Sequence, residues 1–462
     1  MSKKEVTAPV KKNQDIVLEV TDLGSRGEGI GRFQDFLIFV EGALPGEKVE
    51  VRIVQVRSRF AFGKLLRILE VSEERVQPEC PLAGRCGGCQ LPHLSYEGQL
   101  RYKQNKIEQD LRRIGGFEGI QVPPVKGMAG GQWQHYRNKA QYPVQELEGR
   151  PEAGFYAPRS HRLLPVEACL IQSERANALL PAVMDFVRAE GLSIYNEETH
   201  RGLLRHILIR DGRATGQISL CLVLNGSRLP REEAWIDFAR QNGVTSLSIN
   251  ENREKGNVIL GRRTRVLWGP PYIEDSIGGL RFFISPPSFY QVNSQQTQVL
   301  YETALEMAGL TGKETVVDAY CGIGTISLFL ARKAKKVYGV EIVPEAIEDA
   351  RYNAAQNGLT NVEFFCGRAE EVMPALLRER GLHPQVMVVD PPRSGCEESL
   401  LDTMREMAPD RIVYVSCDPA TLARDLNYLC HVHPDYELTR VQGVCMFPET
   451  SHIETVVLMS RL

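Results

Sequence analysis

The first part of the chain alternates apolar and polar residues between glycine turns. This pattern covers residues 15–70 and includes a Pro-Gly turn at positions 45–46. Alternation with period two predicts strands that bury one face, and several short strands joined by tight turns are typical of a small barrel. No long helical period interrupts them. We therefore predict an OB-like β-barrel within a domain spanning residues 1–74.

The middle of the chain mixes a helix with strand-like segments. Residues 95–113 have the period of an amphipathic helix, which Gly115-Gly116 closes. Strand-like segments follow across 135–285, including 206–210 and 217–224. These patterns predict a mixed central domain over residues 75–285.

From about residue 286 the pattern changes to alternating strands and helices. Five apolar strand segments are separated by helical stretches such as 344–357 and 419–429; the strands are predicted at 315–320, 336–342, 362–365, 386–390 and 411–416. This order predicts an α/β, Rossmann-like fold with a parallel sheet covered by helices on both faces, in a domain spanning 286–462. Ligands of such sheets gather at the carboxyl ends of the strands.

A glycine turn follows the first of these strands. It reads Asp318-Ala-Tyr-Cys-Gly-Ile-Gly324, and Gly322 and Gly324 allow close backbone approach to a ligand. Glu341 ends the next strand, where its carboxylate can accept hydrogen bonds from ribose hydroxyls. The same logic serves NAD, but positions 322, 324 and 327 are Gly, Gly and Ser, so the dinucleotide spacing is incomplete. S-adenosylmethionine (SAM), which has no pyrophosphate, needs fewer glycines.

A cysteine follows the last predicted strand, in Val415-Ser-Cys417-Asp-Pro419. Such a cysteine is commonly a small buried hydrophobe. Beside a SAM pocket it suggests a thiol nucleophile. Carbon-5 of a pyrimidine accepts a methyl group poorly until a nucleophile such as a thiolate adds to carbon-6.

Two further segments offer contacts for a base. Asp390-Pro-Pro-Arg393 lacks the aromatic residue that closes this motif in amino-methylating enzymes, which argues against an exocyclic amine as target. Arg393 can orient substrate or favour a nearby thiolate, or it can form a surface ion pair. In Ser288–Asn293, Phe289 suits stacking on a flipped base, and Gln291 suits bonding to the base edge or the cofactor.

Composition places limits on partners and location. With 462 residues, two to three domains are expected, and a net charge of −3 gives no global attraction for polyanions. The barrel nevertheless carries a local set of cations interleaved with Phe60 and Phe62: Arg52, Arg57, Arg59, Lys64 and Arg67. This set indicates either RNA binding or a solvated strand face over an aromatic core. With no signal peptide or apolar span, we expect a cytoplasmic protein.

Four of the eleven cysteines form a candidate ligand set by their spacing. Cys80, Cys86 and Cys89 lie within ten glycine-rich residues, and Cys169 is a distant fourth. Thiolates in this pattern fit either a tetrahedral zinc ion or an iron-sulfur cluster, and geometry barely separates the two. Thiols without a metal are the remaining alternative.

Five motifs, in order, carry a family resemblance that covers almost the whole chain. They are Phe-Tyr-Gln-Val-Asn at 289–293, Asp-Ala-Tyr-Cys-Gly-Ile-Gly at 318–324, Asp-Pro-Pro-Arg at 390–393, Val-Ser-Cys-Asp-Pro at 415–419 and His-Ile-Glu-Thr-Val at 452–456. The chain thereby resembles the RNA 5-methyluridine methyltransferases, relatives of the bacterial ribosomal-RNA uridine-5 enzymes.

The resemblance implies roles for individual residues. Cys417 would be the nucleophile and Glu454 the general base, while His452 would have a partner or packing role. The implied SAM contacts are Gln291, Tyr320, Glu341 and Asp390, beside Gly322 of the turn. The barrel would be a TRAM domain, and the four cysteines would hold a 4Fe-4S cluster. The family also packs the 95–116 helix against the catalytic domain.

The expected reaction is therefore 5-methyluridine formation in RNA, with 23S ribosomal RNA favoured over tRNA because the TRAM-like barrel and cluster accompany the ribosomal enzymes. Two other functions stay open. A cytosine-5 methyltransferase would share the covalent addition but usually places its cysteine in another motif. A non-enzymatic RNA-binding protein would retain the fold without needing Cys417 and Glu454. We expect no membrane association, and the sequence implies no obligate protein partner.

Overall fold

The computed structural model describes residues 8–462 and divides into two compact units. The first contains the residues up to Lys106 together with Phe447–His452, and the second contains Ile107–Met446 together with Ile453–Leu462. The division into three domains drawn from the sequence stays a prediction.

The first unit contains a closed five-stranded barrel. Its strands are β1 (Asp15–Leu23), β2 (Gly29–Phe33), β3 (Phe36–Glu41), β4 (Lys48–Val56) and β5 (Phe60–Glu70). They are joined in the order β1-β2-β3-β5-β4, and β1 pairs with β4 to close the barrel. Burial alternates along β1 as the sequence alternates, so Ile16, Leu18 and Val20 point into the core. The predicted N-terminal barrel is confirmed.

A helix follows the barrel after a stretch of irregular chain. Helix α1 spans Tyr96–Arg113 and begins one residue after the predicted start, because Ser95 caps it by accepting a hydrogen bond from Gly98 N at 3.1 Å. Leu44 of the barrel packs with Leu91, Leu94 and Tyr102 in a small core of the first unit.

The second unit begins with a seven-stranded sheet. Its strands are β6 (Lys139–Leu147), β7 (Arg150–Tyr156), β8 (Leu163–Pro165), β9 (Leu204–Gly212), β10 (Gln217–Leu224), β11 (Ser246–Glu251) and β12 (Arg263–Trp268), in the order β12-β11-β10-β9-β6-β7-β8. Helices α2 (Glu174–Ala189) and α3 (Glu232–Gln241) bury their apolar faces in the same core as this sheet. A short 3₁₀ turn lies at Ala129–Gly131, and the hairpin β13 (Ile273–Ile277) and β14 (Leu280–Ile284) leads out of this region.

The C-terminal part of the second unit is the expected α/β fold. Its elements are α4 (Ser294–Ala308), β15 (Thr315–Ala319), α5 (Thr325–Ala331), β16 (Lys336–Glu341), α6 (Pro344–Gln356), β17 (Val362–Cys366), α7 (Ala369–Arg380), β18 (Val386–Val389), α8 (Glu398–Met407), β19 (Arg411–Ser416), α9 (Pro419–Asn427), β20 (Tyr436–Val444) and β21 (Glu454–Arg461). The sheet order is β17-β16-β15-β18-β19-β21-β20. The methyltransferase-type fold predicted from residue 286 onward is confirmed.

Two details differ from the sequence-based prediction. The sheet is mixed, because β20 and β21 form a hairpin and β21 pairs antiparallel with β19. The helix predicted at 419–429 ends at Asn427 and continues as a π-helical turn over Tyr428–Val432. The antiparallel pairing places the start of β21 at the same edge of the sheet as the carboxyl ends of the parallel strands.

Within the described residues, no helix combines the length and apolar character needed to cross a bilayer. The cytoplasmic location stays a prediction.

Candidate active site

The glycine turn after β15 adopts a strained backbone. Tyr320 has a φ of 70°, in the left-handed region that residues other than glycine rarely adopt, and Gly322 and Gly324 have φ of 56° and 84°. The Tyr320 hydroxyl donates to Glu370 Oε1 at 3.2 Å. A Cβ on Gly324 would lie 3.2 Å from Ala350 and Phe364 side chains, so the turn is closely packed against its neighbours. Such strain is characteristic of functional turns.

Glu341, at the end of β16, is fixed by backbone groups. Its Oε2 accepts from Gly322 N at 3.1 Å and its Oε1 accepts from Val343 N at 3.0 Å. Each carboxylate oxygen can accept more than one hydrogen bond. The half-buried carboxylate therefore joins the glycine turn to the next strand and retains acceptor capacity for a ligand.

Three carboxyl groups, those of Asp318, Asp390 and Glu454, cluster at this edge with few cations to balance their charge. Burial, together with the charges of Asp390 and Glu341, raises the pKa of Asp318 to about 7, against a hydrogen bond from Ser327 that lowers it. Burial also raises the pKa of Asp390 to about 7. The pKa of Glu454 lies well above its ordinary value because of burial and the charge of Asp390, with Arg393 opposing. Such a cluster favours a cationic ligand, which would stabilise the ionised carboxylates.

Cys417 lies directly after β19, beside these acids. Burial and the charges of Glu454 and Asp390 together raise the pKa of its thiol to about 11, while Arg393 opposes the rise. Ser416 pairs with Thr455 across the two strands, so Cys417 and Glu454 are next to each other in register. The neighbouring Asp418 caps α9 by accepting from Ala420 N at 3.0 Å and Thr421 N at 3.2 Å. The residue predicted as nucleophile and the residue predicted as base thus share one edge.

The loop that carries Arg393 is held by a buried carboxylate that the sequence did not reveal. Asp425 Oδ2 accepts from Cys396 N at 2.8 Å and from the Tyr414 hydroxyl at 2.7 Å. Arg424 also donates to Ser394 O at 3.0 Å. These contacts join α9 to the loop after β18, while Arg393 itself is exposed. No local motif marks Asp425, because its partners come from two other elements.

The loop between β14 and α4 presents one aromatic ring to solvent. Phe289 is 70% exposed, whereas Gln291 is buried. The loop backbone is tied to the central sheet: Arg210 donates to Ser288 O at 2.8 Å, and Asn138 Nδ2 donates to Gln291 O at 3.0 Å. Sequence reasoning missed both Arg210 and Asn138, since each acts from a distant strand or loop.

The predicted metal ligands divide between the two units. Cys80, Cys86 and Cys89 are half-buried on one loop of the first unit, and Cys169 belongs to the second unit. The pKa of the Cys86 thiol is raised by burial and also by the charge of Cys80, despite a 3.4 Å contact from Gly88 N. Among residues 8–462, no group of three or more Cys, His, Asp or Glu side chains is arranged to hold a metal ion. The iron-sulfur site stays a prediction.

The barrel cations differ in their pairing. Arg52 forms an ion pair with Asp15 at 2.7 Å and Arg67 with Glu50 at 2.6 Å. All five side chains are exposed, but Arg57, Arg59 and Lys64 form no ion pair among the described residues. Phe60 and Phe62 are half-buried and pack edge-on at 5.4 Å between ring centroids. The set contains two kinds of exposed cation.

His452 contacts Phe447 with 6.3 Å between ring centroids, and its backbone N donates to the Thr450 hydroxyl at 3.3 Å. Both contacts lie within the first unit. They favour the packing role over that of a base.

Comparison with known proteins identifies both ends of the chain. Residues 276–462 match the family model of tRNA (uracil-5-)-methyltransferases, and residues 9–66 match the TRAM domain. The chain is 49% identical to an RNA methyltransferase of Clostridium tetani, covering 98% of this chain and 97% of the relative. It is 50% identical to an RNA methyltransferase of Bacillus cereus, covering 99% of both.

A solved structure is similar over nearly the full length. It is the Pyrococcus abyssi tRNA (uracil-54, C5)-methyltransferase in complex with S-adenosyl-L-homocysteine, with a TM-score of 0.78 and 26% identity. The similarity covers 96% of this chain and all of that one.

Proposed function

We propose, from the premise that this chain belongs to the RNA methyltransferases with a uracil-5-methyltransferase domain and a TRAM domain, that it methylates carbon-5 of a uridine in RNA. The observation that carries the proposal is the position of Cys417 and Glu454, each next to one of the paired residues Ser416 and Thr455 at one edge of the sheet. A thiol and a carboxyl are the two groups that covalent methylation of carbon-5 requires.

The cofactor proposed for this site is SAM, which supplies an electrophilic methyl group on a cationic sulfur. Gln291, Tyr320, Gly322, Glu341 and Asp390 would hold it. The fit is supported by the acid cluster, whose carboxyl groups have raised pKa values and few neighbouring cations. Glu341, fixed by two backbone groups, would accept from ribose hydroxyls.

The chain's own residues would then act in order. The Cys417 thiol gives its proton to water, and the thiolate sulfur bonds to carbon-6 of the uracil. The electron pair of the bond between carbon-5 and carbon-6 moves into the ring enolate, which makes carbon-5 nucleophilic. Arg393 lowers the pKa of Cys417 and so favours the thiolate. After methyl transfer, Glu454 takes the proton from carbon-5 while the bond between carbon-6 and sulfur breaks. Phe289 would stack on the flipped base.

For the target we propose a uridine of 23S ribosomal RNA. The alternative is tRNA, on which the Pyrococcus enzyme acts at uracil 54. The test is to incubate the protein with methyl-labelled SAM and transcripts of each RNA, and then to map the labelled nucleoside. Label in 5-methyluridine of the ribosomal transcript is expected. Label only in tRNA would reject the target, and label only in 5-methylcytidine would reject the uridine chemistry.

We also propose that Cys80, Cys86, Cys89 and Cys169 hold a 4Fe-4S cluster. The loop over residues 77–89 has no fully buried side chain, so apolar packing gives it little support. Its glycines and half-buried thiols suit ligation of a cluster. Because the proposed methylation includes no electron transfer, the cluster would organise structure or RNA binding.

A further inference from the structure

Three cationic side chains lie together at the start of β6, an interior strand of the central sheet. Lys139, the first residue of β6, is directly opposite Arg210 of β9 in the antiparallel register. Arg137 precedes Lys139 by two residues. Both Arg210 and Arg137 lower the pKa of Lys139, which shows that the three charges interact.

None of the three cations forms an ion pair or a hydrogen bond with a carboxylate among the residues that the structure describes. Arg210 is 2% exposed, and its Nε and Nη1 have no hydrogen-bond partner. The half-buried side chains of Lys139 and Arg137 form neither an ion pair nor a hydrogen bond within residues 8–462. Burial and the two arginines lower the pKa of Lys139 to about 7. Unpaired buried charges are costly, so such a cluster calls for a compensating anion.

One neighbouring carboxylate, Asp275, compensates only part of this positive charge. Asp275 interacts electrostatically with Arg210. Its oxygens already accept from Ala214 N at 2.8 Å and from the hydroxyls of Tyr290 and Ser294, each at 3.2 Å. Asp275 therefore stabilises the buried loop and leaves the Arg210 Nε and Nη1 donors unpaired.

The cluster adjoins the loop that presents Phe289. Arg210 uses its remaining nitrogen to bind Ser288 O, the residue before Phe289. Asn138, between Arg137 and Lys139, donates to Gln291 O and, through its backbone N, to Val292 O at 2.8 Å. The cations and the exposed aromatic ring thus share one rigid support.

We propose that Arg137, Lys139 and Arg210 form a binding site for a phosphodiester of the RNA substrate, next to the nucleotide that contacts Phe289. The inference rests on the proposed function in taking RNA as the ligand. A phosphodiester carries the required negative charge, and its oxygens match the donor fork of arginine. The carboxylate of the cofactor is a second candidate source of the same negative charge. The experiment distinguishes the two sources by measuring RNA binding and cofactor binding separately.

The test uses the full-length protein and a Lys139→Gln variant, which removes one of the two half-buried charges of the cluster. Lys333→Gln is the matched control, since Lys333 is exposed beyond α5 near the opposite edge of the C-terminal sheet. Binding of a 20-nucleotide oligouridylate is measured across a salt series. S-adenosylhomocysteine binding is measured by calorimetry, and thermal unfolding is recorded for each protein.

We expect Lys139→Gln to weaken oligouridylate binding about tenfold at low salt and to reduce the salt slope by roughly 0.7. S-adenosylhomocysteine binding should stay unchanged. The melting temperature should stay equal or rise, because an unpaired cation has been removed from a cationic cluster. A merely structural lysine would lower it. Lys333→Gln should bind oligouridylate as the wild type does.

Several results would overturn the inference. One is an unchanged RNA affinity and salt slope in Lys139→Gln, and another is a lower melting temperature of this variant. A third is a loss of S-adenosylhomocysteine binding while RNA binding stays intact, which would assign the anion to the cofactor. None of these measurements depends on methyl transfer. Failure of the proposed function, seen as unlabelled RNA, is therefore distinguishable from failure of this site.

Discussion

In the folded protein, burial favours the protonated, uncharged form of the Asp390 carboxyl group. Its pKa is raised to about 7 from 3.8 by burial, so between these pH values the unfolded chain has lost a proton that the folded chain keeps. Stability therefore falls as pH rises through this window. An asparagine at this position has no charge to bury, and the same substitution would remove a proposed SAM contact.

We expect Asp390→Asn to be more stable than the wild type at pH 8 by about 1 kcal/mol, with the difference shrinking toward pH 4. SAM binding should weaken. Calorimetric melting over this pH range, with Asp237→Asn as an exposed control, checks the first point. A variant that melts below the wild type at pH 8 would contradict the assigned cost of the charge.

Cys417 and Glu454 should fail at different steps of the reaction. Cys417→Ala cannot add to carbon-6, so it should form no covalent species with RNA and show no methylation, while still binding SAM. Glu454→Gln should methylate carbon-5 but retain its proton, so a protein-RNA adduct should accumulate, with turnover reduced roughly 10²–10⁴-fold. Denaturing electrophoresis detects the adduct.

RNA carrying 5-fluorouridine should trap the wild type in the same way, because fluorine cannot leave as a cation. Cys366→Ala is the matched control, since Cys366 is an exposed cysteine at the end of β17, the edge strand of the same sheet. Full turnover by Cys417→Ala would refute catalysis through this thiol.

At the scale of elements, local patterns predicted the strands well and the distant pairings poorly. β10 occupies Gln217–Leu224, as expected, because an apolar run there ends at Gly216 and Asn225. The antiparallel direction of β21 was not predicted, since strand direction depends on the hairpin with β20 and the pairing with β19. Asp425 and Arg210 were missed for a similar reason. Their partners are 29 and 78 residues away in sequence.

Substitutions in the barrel can show whether cations with and without an ion-pair partner contribute differently to RNA binding. All five cations are exposed, but Arg52 and Arg67 form ion pairs with carboxylates, whereas Arg57, Arg59 and Lys64 form none among the described residues. Replacing the first three with glutamine should weaken binding of single-stranded RNA and reduce the salt slope by up to about 2, because each phosphate contact contributes roughly 0.7. The double variant Arg52→Gln/Arg67→Gln is the control.

Filter binding across a salt series gives both slopes. If the double variant lost as much slope as the triple variant, Arg57, Arg59 and Lys64 would have no special role. Equal slopes for the triple variant and the wild type would remove the barrel cations from RNA binding.

At the scale of the molecule, a C-terminal segment is part of the first unit. Glu449 O accepts from Gln90 N at 3.0 Å and Leu91 N at 2.9 Å, and the Gln99 side chain donates to Glu449 Oε1 at 2.8 Å. These bonds join the residues directly after Cys89 to the segment Phe447–His452, which leads into β21 at Glu454. A change of structure in the cysteine loop can therefore reach the segment Phe447–His452, which precedes the proposed base Glu454 in the chain.

We expect a bound 4Fe-4S cluster to order the cysteine loop. Purified without oxygen, the protein should be brown and contain about four iron and four sulfide per chain, by elemental analysis. Cys86→Ser should lose the iron and become sensitive to trypsin at Arg85, because no fully buried side chain anchors residues 77–89. Cys366→Ser should keep its iron and its resistance. If the anaerobic wild type contained stoichiometric zinc and no iron, the site would be a zinc site and not a cluster. If it contained neither metal and the loop still resisted trypsin, the cysteines would form no metal site.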